Sequence, residues 1–140
     1  MSILKFSISS IRCFFFVSSI ILASSCTLDS GMTRTEIADI ENGKKTFNTM
    51  CSVCHSVQKT GGPIEGPNLI GVVGREAASH SDFDKYSPAL KASSLTWDIQ
   101  TLNHFLVNPM AMVPGTLMPM RIPDDKTRAD VIAYLASLKQ

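Results

Sequence analysis

The chain has 140 residues, room for one compact domain, and an ordinary globular make-up, 44% hydrophobic and 18% charged. A formal net charge of +1 excludes the broad basic footprint that holds nucleic acid. Lys5 and Arg12 fall in a segment expected to be removed, which takes 13 basic residues to 11 against 12 acidic ones and leaves the mature domain near −1.

Residues 1–25 read as an export signal. Met1 to Arg12 carries Lys5 and Arg12 and no acid, Cys13 to Ala23 is apolar, and Ser24, Ser25 and Cys26 are small enough for cleavage. The apolar stretch is shorter than the roughly 20 residues that span a bilayer. If retained, it would be an anchor. The run Ala23-Ser24-Ser25-Cys26 offers a third outcome, lipidation of Cys26, although the leucine usual three positions before the cysteine stands one place early, at Leu22. Residues 26–35 are small and polar, a flexible linker, and the folded domain is expected over 36–140. With Cys13 and Cys26 in this leading region, Cys51 and Cys54 are left for the fold, which is no disulfide scaffold.

Helical periodicity begins at Glu36, with Ile40, Phe47 and Met50 on one stripe and Gly43 on the same side. Glycine costs a helix about 1 kcal/mol relative to alanine. Either another helix crosses closely there, or the glycine is a tolerated surface residue. Directly after this stripe comes Cys51-Ser52-Val53-Cys54-His55. Near a helix end, residues three apart share a face, so two thiols can add across the two vinyl groups of a haem. The next residue, His55, then reaches the iron as an axial ligand. A thioredoxin-type pair would want a strand–helix unit, and a zinc site about four ligands. Neither is visible; His80 and His104 lack paired ligand spacing and read as surface residues.

Glycines and prolines from Gly61 onward break the chain into long connections. Thr96 can cap a helix running to about Val107, with Asp98 in its first turn and Ile99, Leu102, Phe105 and Leu106 as its apolar face; Asn108-Pro109 stops it. A last helix starts near Asp124 or Asp125, capped by Asp124, with Val131, Leu135 and Leu138 as a seam and Tyr134 beside it. No run alternates like a strand, so the class is all-α. Three helices make a thin core for this length, and an internal apolar prosthetic group would complete it. Pro114-Gly115-Thr116-Leu117-Met118 offers a thioether as a candidate sixth iron ligand, which would give the His/Met pairing that raises a reduction potential. Met110, Met112 and Met120 compete with it.

The order C-x-x-C-H, Gly66-Pro67-Asn68-Leu69, Gly74-Arg75, Trp97, Asn108-Pro109, Pro114-Gly115-Thr116-x-Met118 and Ile132-Ala133-Tyr134-Leu135 resembles the class I cytochrome c family, its mitochondrial and bacterial c2-like branch, over about Asn42 to Leu138. The resemblance implies a small cytochrome c fold, helices and long loops wrapped around one covalent haem c. It implies thioethers at Cys51 and Cys54, His55 and Met118 as axial ligands, and a Pro67 carbonyl that orients His55. It further implies propionate contacts from Arg75, Tyr86, Trp97 and Thr116, and a crossing where Gly43 and Phe47 meet Val131 and Tyr134. With both axial sites closed the protein is a one-electron carrier and not an enzyme. The alternatives are a haem enzyme or gas sensor with a labile methionine, or a tethered electron-transfer subunit of an oxidase or reductase complex.

This sequence departs from the family in several places. One extra residue lies between Arg75 and Trp97. Phe105 replaces a frequent tyrosine whose hydroxyl reaches the methionine sulfur, and Leu90 a frequent asparagine. Positions that supply a lysine ring in mitochondrial relatives hold Met50, Met110, Ala111 and Leu117, while Lys45 survives. The contact face is therefore expected to be largely apolar. The implied partners are redox proteins, a cytochrome bc1-like donor and a terminal oxidase or reductase acceptor, with no nucleic acid. The expected place is the periplasm of a Gram-negative bacterium, soluble or held to the membrane through an N-terminal anchor or a lipid on Cys26.

Overall fold

The computed structural model describes residues 37–60 and 62–139; the expected export signal 1–25 and linker 26–35 lie outside the described residues. Helix α1 (Ile40–Thr46) begins where the Asp39 carboxylate accepts the Glu41 and Asn42 amides at 2.9 and 3.1 Å, the preferred use of an aspartate at a helix start. It runs straight into a π-helical turn, Phe47–Cys51, in which the Ser52 amide reaches back to the Phe47 carbonyl at 2.9 Å. Widened turns of this kind recur at functional sites. Here the turn ends the helix at the first cysteine, and the Cys54 and His55 amides fold back onto the Cys51 carbonyl at 3.1 and 2.9 Å.

Long loops follow, interrupted by α2 (Pro88–Ala92), which the sequence pattern did not reveal. Ser87 caps it, its hydroxyl accepting the Leu90 amide at 3.1 Å, and proline occupies the first helical position, where no amide is missed. Among the described residues the sole β feature is an isolated Glu76–Thr96 bridge. Flanking amides reinforce it: Trp97 to the Arg75 carbonyl at 2.8 Å, Gly74 to the Trp97 carbonyl at 2.9 Å, and Ala77 to the Leu95 carbonyl at 2.7 Å. Together they pin the base of segment 77–95.

Helix α3 (Ile99–Val107) is capped by Asp98 and not by Thr96, because the Asp98 carboxylate takes the Thr101 amide at 2.7 Å. Ile99, the first residue of the helix, is half exposed, and the buried face is Leu102, Phe105 and Leu106. Asn108 both ends α3 and caps the short α4 (Pro109–Met112) through the Ala111 amide at 3.2 Å. Helix α5 (Asp125–Ser137) starts as expected, with Asp124 accepting the Thr127 amide at 2.8 Å. Leu138 lies one residue past its end and is only half-buried.

Helices α1 and α5 cross at Gly43. A methyl group there would overlap the Asp130 carbonyl and press on Tyr134 Cβ, so close approach, and not tolerance at a surface, explains the glycine. Phe47 packs on Tyr134 with ring centroids 5.6 Å apart. The Asp39 amide donates to Asp130 Oδ1 at 2.7 Å, and Lys126 Nζ donates to both oxygens of the same carboxylate. Ile40, one turn short of the crossing, is 45% exposed and leaves the stripe expected of it. Phe47, Val131, Ile132 and Leu135 continue into a single core with Trp97, Leu102, Phe105, Leu106, Val113 and Ile122.

Candidate functional site

The core opens on a cavity of about 650 Å³, within the range of sites that enclose a cofactor. The end of the π-helical turn delivers Cys51, Cys54 and His55 to one part of its wall, and the two cysteines are not joined in a disulfide. Burial, with Cys54 nearby adding to it, pushes the Cys51 thiol up to about 11. The His55 ring is fixed. Its Nδ1 lies 2.8 Å from the Pro67 carbonyl, and since a carbonyl can only accept, Nδ1 carries the proton and Nε2 keeps its lone pair. Burial lowers the His55 pKa, opposed in part by that same bond. The neutral ring is the form that binds a metal.

The loop that supplies Pro67 is itself braced. The Gly66 amide donates to the Cys54 carbonyl at 2.8 Å, and the Leu69 amide to the Ser56 carbonyl at 2.8 Å. A side chain at Gly66 would press into the His55 ring, with Cε1 2.5 Å and Nδ1 2.8 Å from its Cβ. Buried Asn68 spans the loop, its Nδ2 donating to the Gln58 carbonyl at 2.7 Å and its Oδ1 accepting the Ile70 amide at 2.8 Å. Sequence reasoning gave neither Gly66 nor Asn68 a role. Their presence beside Pro67 in one short motif was the signal available.

Arg75, Tyr86, Trp97 and Thr116 all line the cavity, as do Phe105 and Leu90. Arg75 also ties the loop together, donating to the Asn68 carbonyl at 2.8 Å and the Ile70 carbonyl at 3.2 Å. Burial lowers its pKa and the neighbouring Tyr86 opposes that, yet a guanidinium stays charged throughout. Burial raises the Tyr86 phenol, against a hydrogen bond to the His80 backbone and the Arg75 charge. Trp97 and Phe105 meet edge to face at 4.8 Å, so the residue standing where a hydroxyl was to be expected serves as packing.

Of the competing methionines, Met118 and Met120 line the cavity and Met110 and Met112 do not; Met50, beside Cys51, lines it too. Met118 is half-buried, with its amide 3.4 Å from Thr116 Oγ1. Exposed apolar side chains stand at the mouth, Val53 at 69% and Leu117 at 73%, with Met110 and Ala111 exposed on α4.

The donor set suits a haem held through two sulfurs. Two cysteine sulfurs stand three residues apart, an imidazole presents an oriented lone pair, thioethers share the cavity, and most of the wall is apolar. Residues 40–139 match the model of the family described as cytochrome c. The chain is 45% identical over 100 residues to cytochrome c2 of Rhodomicrobium vannielii, which covers 71% of this chain and 78% of that protein. It is 41% identical over 106 residues to a cytochrome c homolog of Bradyrhizobium diazoefficiens, covering 75% of this chain and 57% of the relative, so it spans a little over half of that protein's length. Among solved structures it superposes on cytochrome cH from Methylobacterium extorquens with a TM-score of 0.64 at 42% identity, covering 71% of this chain and 99% of the other.

Proposed function

The chain belongs to the cytochrome c family, as a single-haem electron carrier with covalently bound haem c, and from that premise we propose how its own residues do the work. Cys51 and Cys54 form the two thioethers, His55 is the proximal ligand through Nε2, and Met118 is the distal one. The haem, when bound, supplies an iron that takes up and gives back one electron. Pro67 fixes the proximal ring and strengthens it as a donor. Arg75, Tyr86, Trp97 and Thr116 meet the propionates, and the apolar walls exclude water. The observation that carries this reading is that one cavity is lined by both cysteines, by His55 with Nδ1 tied to Pro67, and by Met118.

With His55 and Met118 both bound to the iron, no position would be left on it for a substrate, which supports reading the protein as an electron carrier and not an enzyme. Its partners are redox proteins, a cytochrome bc1-like donor and a terminal oxidase or reductase acceptor, met in the periplasm. The exposed apolar side chains Val53, Leu117 and Met120 on the cavity lining favour apolar contact, and the exposed charges beside them, Glu65, Glu76 and Lys85, are of mixed sign and form no ring of one sign to steer a partner. Electron transfer to a partner oxidase should therefore change little between low and high salt, and a steep fall with salt would refute an apolar face.

An absorption spectrum tests the ligand assignment. The ferric protein should show the weak far-red band of iron–sulfur ligation, and the ferrous protein should not bind carbon monoxide rapidly. Absence of the band with fast carbon monoxide uptake would favour a haem enzyme or gas sensor. Mass spectrometry of the mature protein gives the haem adduct, the starting residue and any lipid on Cys26 together.

A further inference from the structure

We propose that Met120 is a reserve distal ligand, a second thioether that takes the sixth iron position whenever Met118 leaves it. The inference rests on the assignment of Met118 above. Residues 117–121 form neither helix nor bridge, and the chain from Thr116 to Met120 runs along the cavity wall. Within that run Met118 and Met120 are the two side chains able to bind a soft metal. Both line the cavity, with a single residue between them. Methionine's three rotatable bonds let a sulfur cover the offset between neighbouring positions.

The surroundings allow the exchange. The segment is pinned at its ends, by the Thr116 amide on the Val113 carbonyl at 3.0 Å and the Ile122 amide on the Leu106 carbonyl at 2.6 Å. Between those points, among the described residues, the one hydrogen bond is the long 3.4 Å approach of the Met118 amide to Thr116 Oγ1. Gly115 at φ +93° supplies a hinge just ahead of it. Phe105, the aromatic residue on the cavity wall, has no hydroxyl with which to hold the Met118 sulfur in place. Met120 is 41% exposed, so swinging inward buries apolar surface and is favourable in itself. The exchange is balanced: one iron–sulfur bond breaks, another forms, and no electron or proton is transferred.

The test uses folded holoprotein carrying Met118→Leu, which keeps apolar volume and removes the sulfur. The ferric far-red band should persist in that variant, with a reduction potential still in the methionine-ligated range, and should vanish in M118L/M120L with rapid carbon monoxide binding in the ferrous state. Loss of the band in M118L alone overturns the proposal. So does a band that survives in M118L/M120L but disappears in M118L/M50L, which would assign the reserve to Met50. Met120→Leu alone should leave the wild-type band unchanged; if it abolishes the band, Met120 is the primary ligand and both readings fall. A wild-type protein without the band refutes the assignment of Met118 itself. Should M118L not accumulate as folded holoprotein, Met118→Ala is read in the same way.

Discussion

The two walls of the cavity are built on opposite plans. The histidine side is local and tightly laced: within Cys54–Arg75, amides, Asn68 and Arg75 tie neighbouring turns together, and Gly66 leaves no room between backbone and imidazole. The methionine side is a span held at its two ends, with one long hydrogen bond between them. Small changes in the laced wall move a ring that has nowhere else to go, whereas the span can shift while its anchors hold. Under the ligation proposed above, rigidity on one side would set the ligand field, and slack on the other is where ligand exchange would begin.

The change expected to act most strongly strikes the laced wall. Gly66→Ala places a methyl group on the His55 ring, and overpacking of this kind costs about 1–3 kcal/mol. Thermal unfolding of the holoprotein should register it, together with a shifted reduction potential; stability and potential both unchanged would mean that the histidine side yields as easily as the other. Arg128→Ala attacks the anchor of the span. Its guanidinium donates to the Ile122 and Pro123 carbonyls at 2.9 and 3.0 Å and to Asn103 Oδ1 at 2.8 Å, and leaving the buried Ile122 carbonyl unpaired costs about 2 kcal/mol. In a urea titration of this variant the far-red band should disappear well before the helical signal. If the two are lost together, the walls do not behave differently.

The smallest effect should fall on both walls equally, because it acts on the frame they share. Burial pushes the Asp130 carboxyl up, but the Lys126 hydrogen bonds, the Asp39 amide and the Lys126 charge outweigh it and hold the group below its ordinary value. A carboxyl lowered by folding adds stability above its unfolded pKa of about 3.9, and loses it as the pH falls through the lower, folded value. Acid unfolding should therefore set in below about pH 4, with the band and the helical signal declining in step. Asp130→Asn should flatten that dependence. A variant with the wild-type acid profile would show that the helix crossing does not depend on this carboxylate.

Much of this arrangement was legible in the sequence. The C-x-x-C-H run, taken with the further motifs that follow it in order, points to the cytochrome c family that the chain matches, and Asp124 opens α5 where a cap was expected. Gly43 sits at the crossing because only a bare backbone fits against Asp130. Other features were hidden for physical reasons. Ile40 and Ile99 have the right period but stand at the first positions of short helices, where no neighbour covers them. Helices α2 and α4 are too short to show a period at all. The π-helical turn is a matter of hydrogen-bond register, which side-chain patterning does not encode. Asn68 and Arg128 act on distant or neighbouring carbonyls, and backbone acceptors look alike in every sequence. For Arg75 the resemblance implies a propionate contact; its lacing of its own loop through the Asn68 and Ile70 carbonyls has no mark in the sequence.

The clasp between Asp39 and Asp130 joins positions 91 apart, and the Glu76–Thr96 bridge closes a smaller circuit inside it. Closing a loop costs free energy that grows only with the logarithm of its length, so one residue added to a closed stretch of about twenty changes the balance by about 0.05 kcal/mol. The extra residue between Arg75 and Trp97 is therefore nearly free to exist. The exposed pair Ser81 and Asp82 is where such a residue is most easily taken up, but Phe83, Lys85 and Tyr86 just beyond it line the cavity, so an addition there has to stay within those two positions to leave the cavity wall in place.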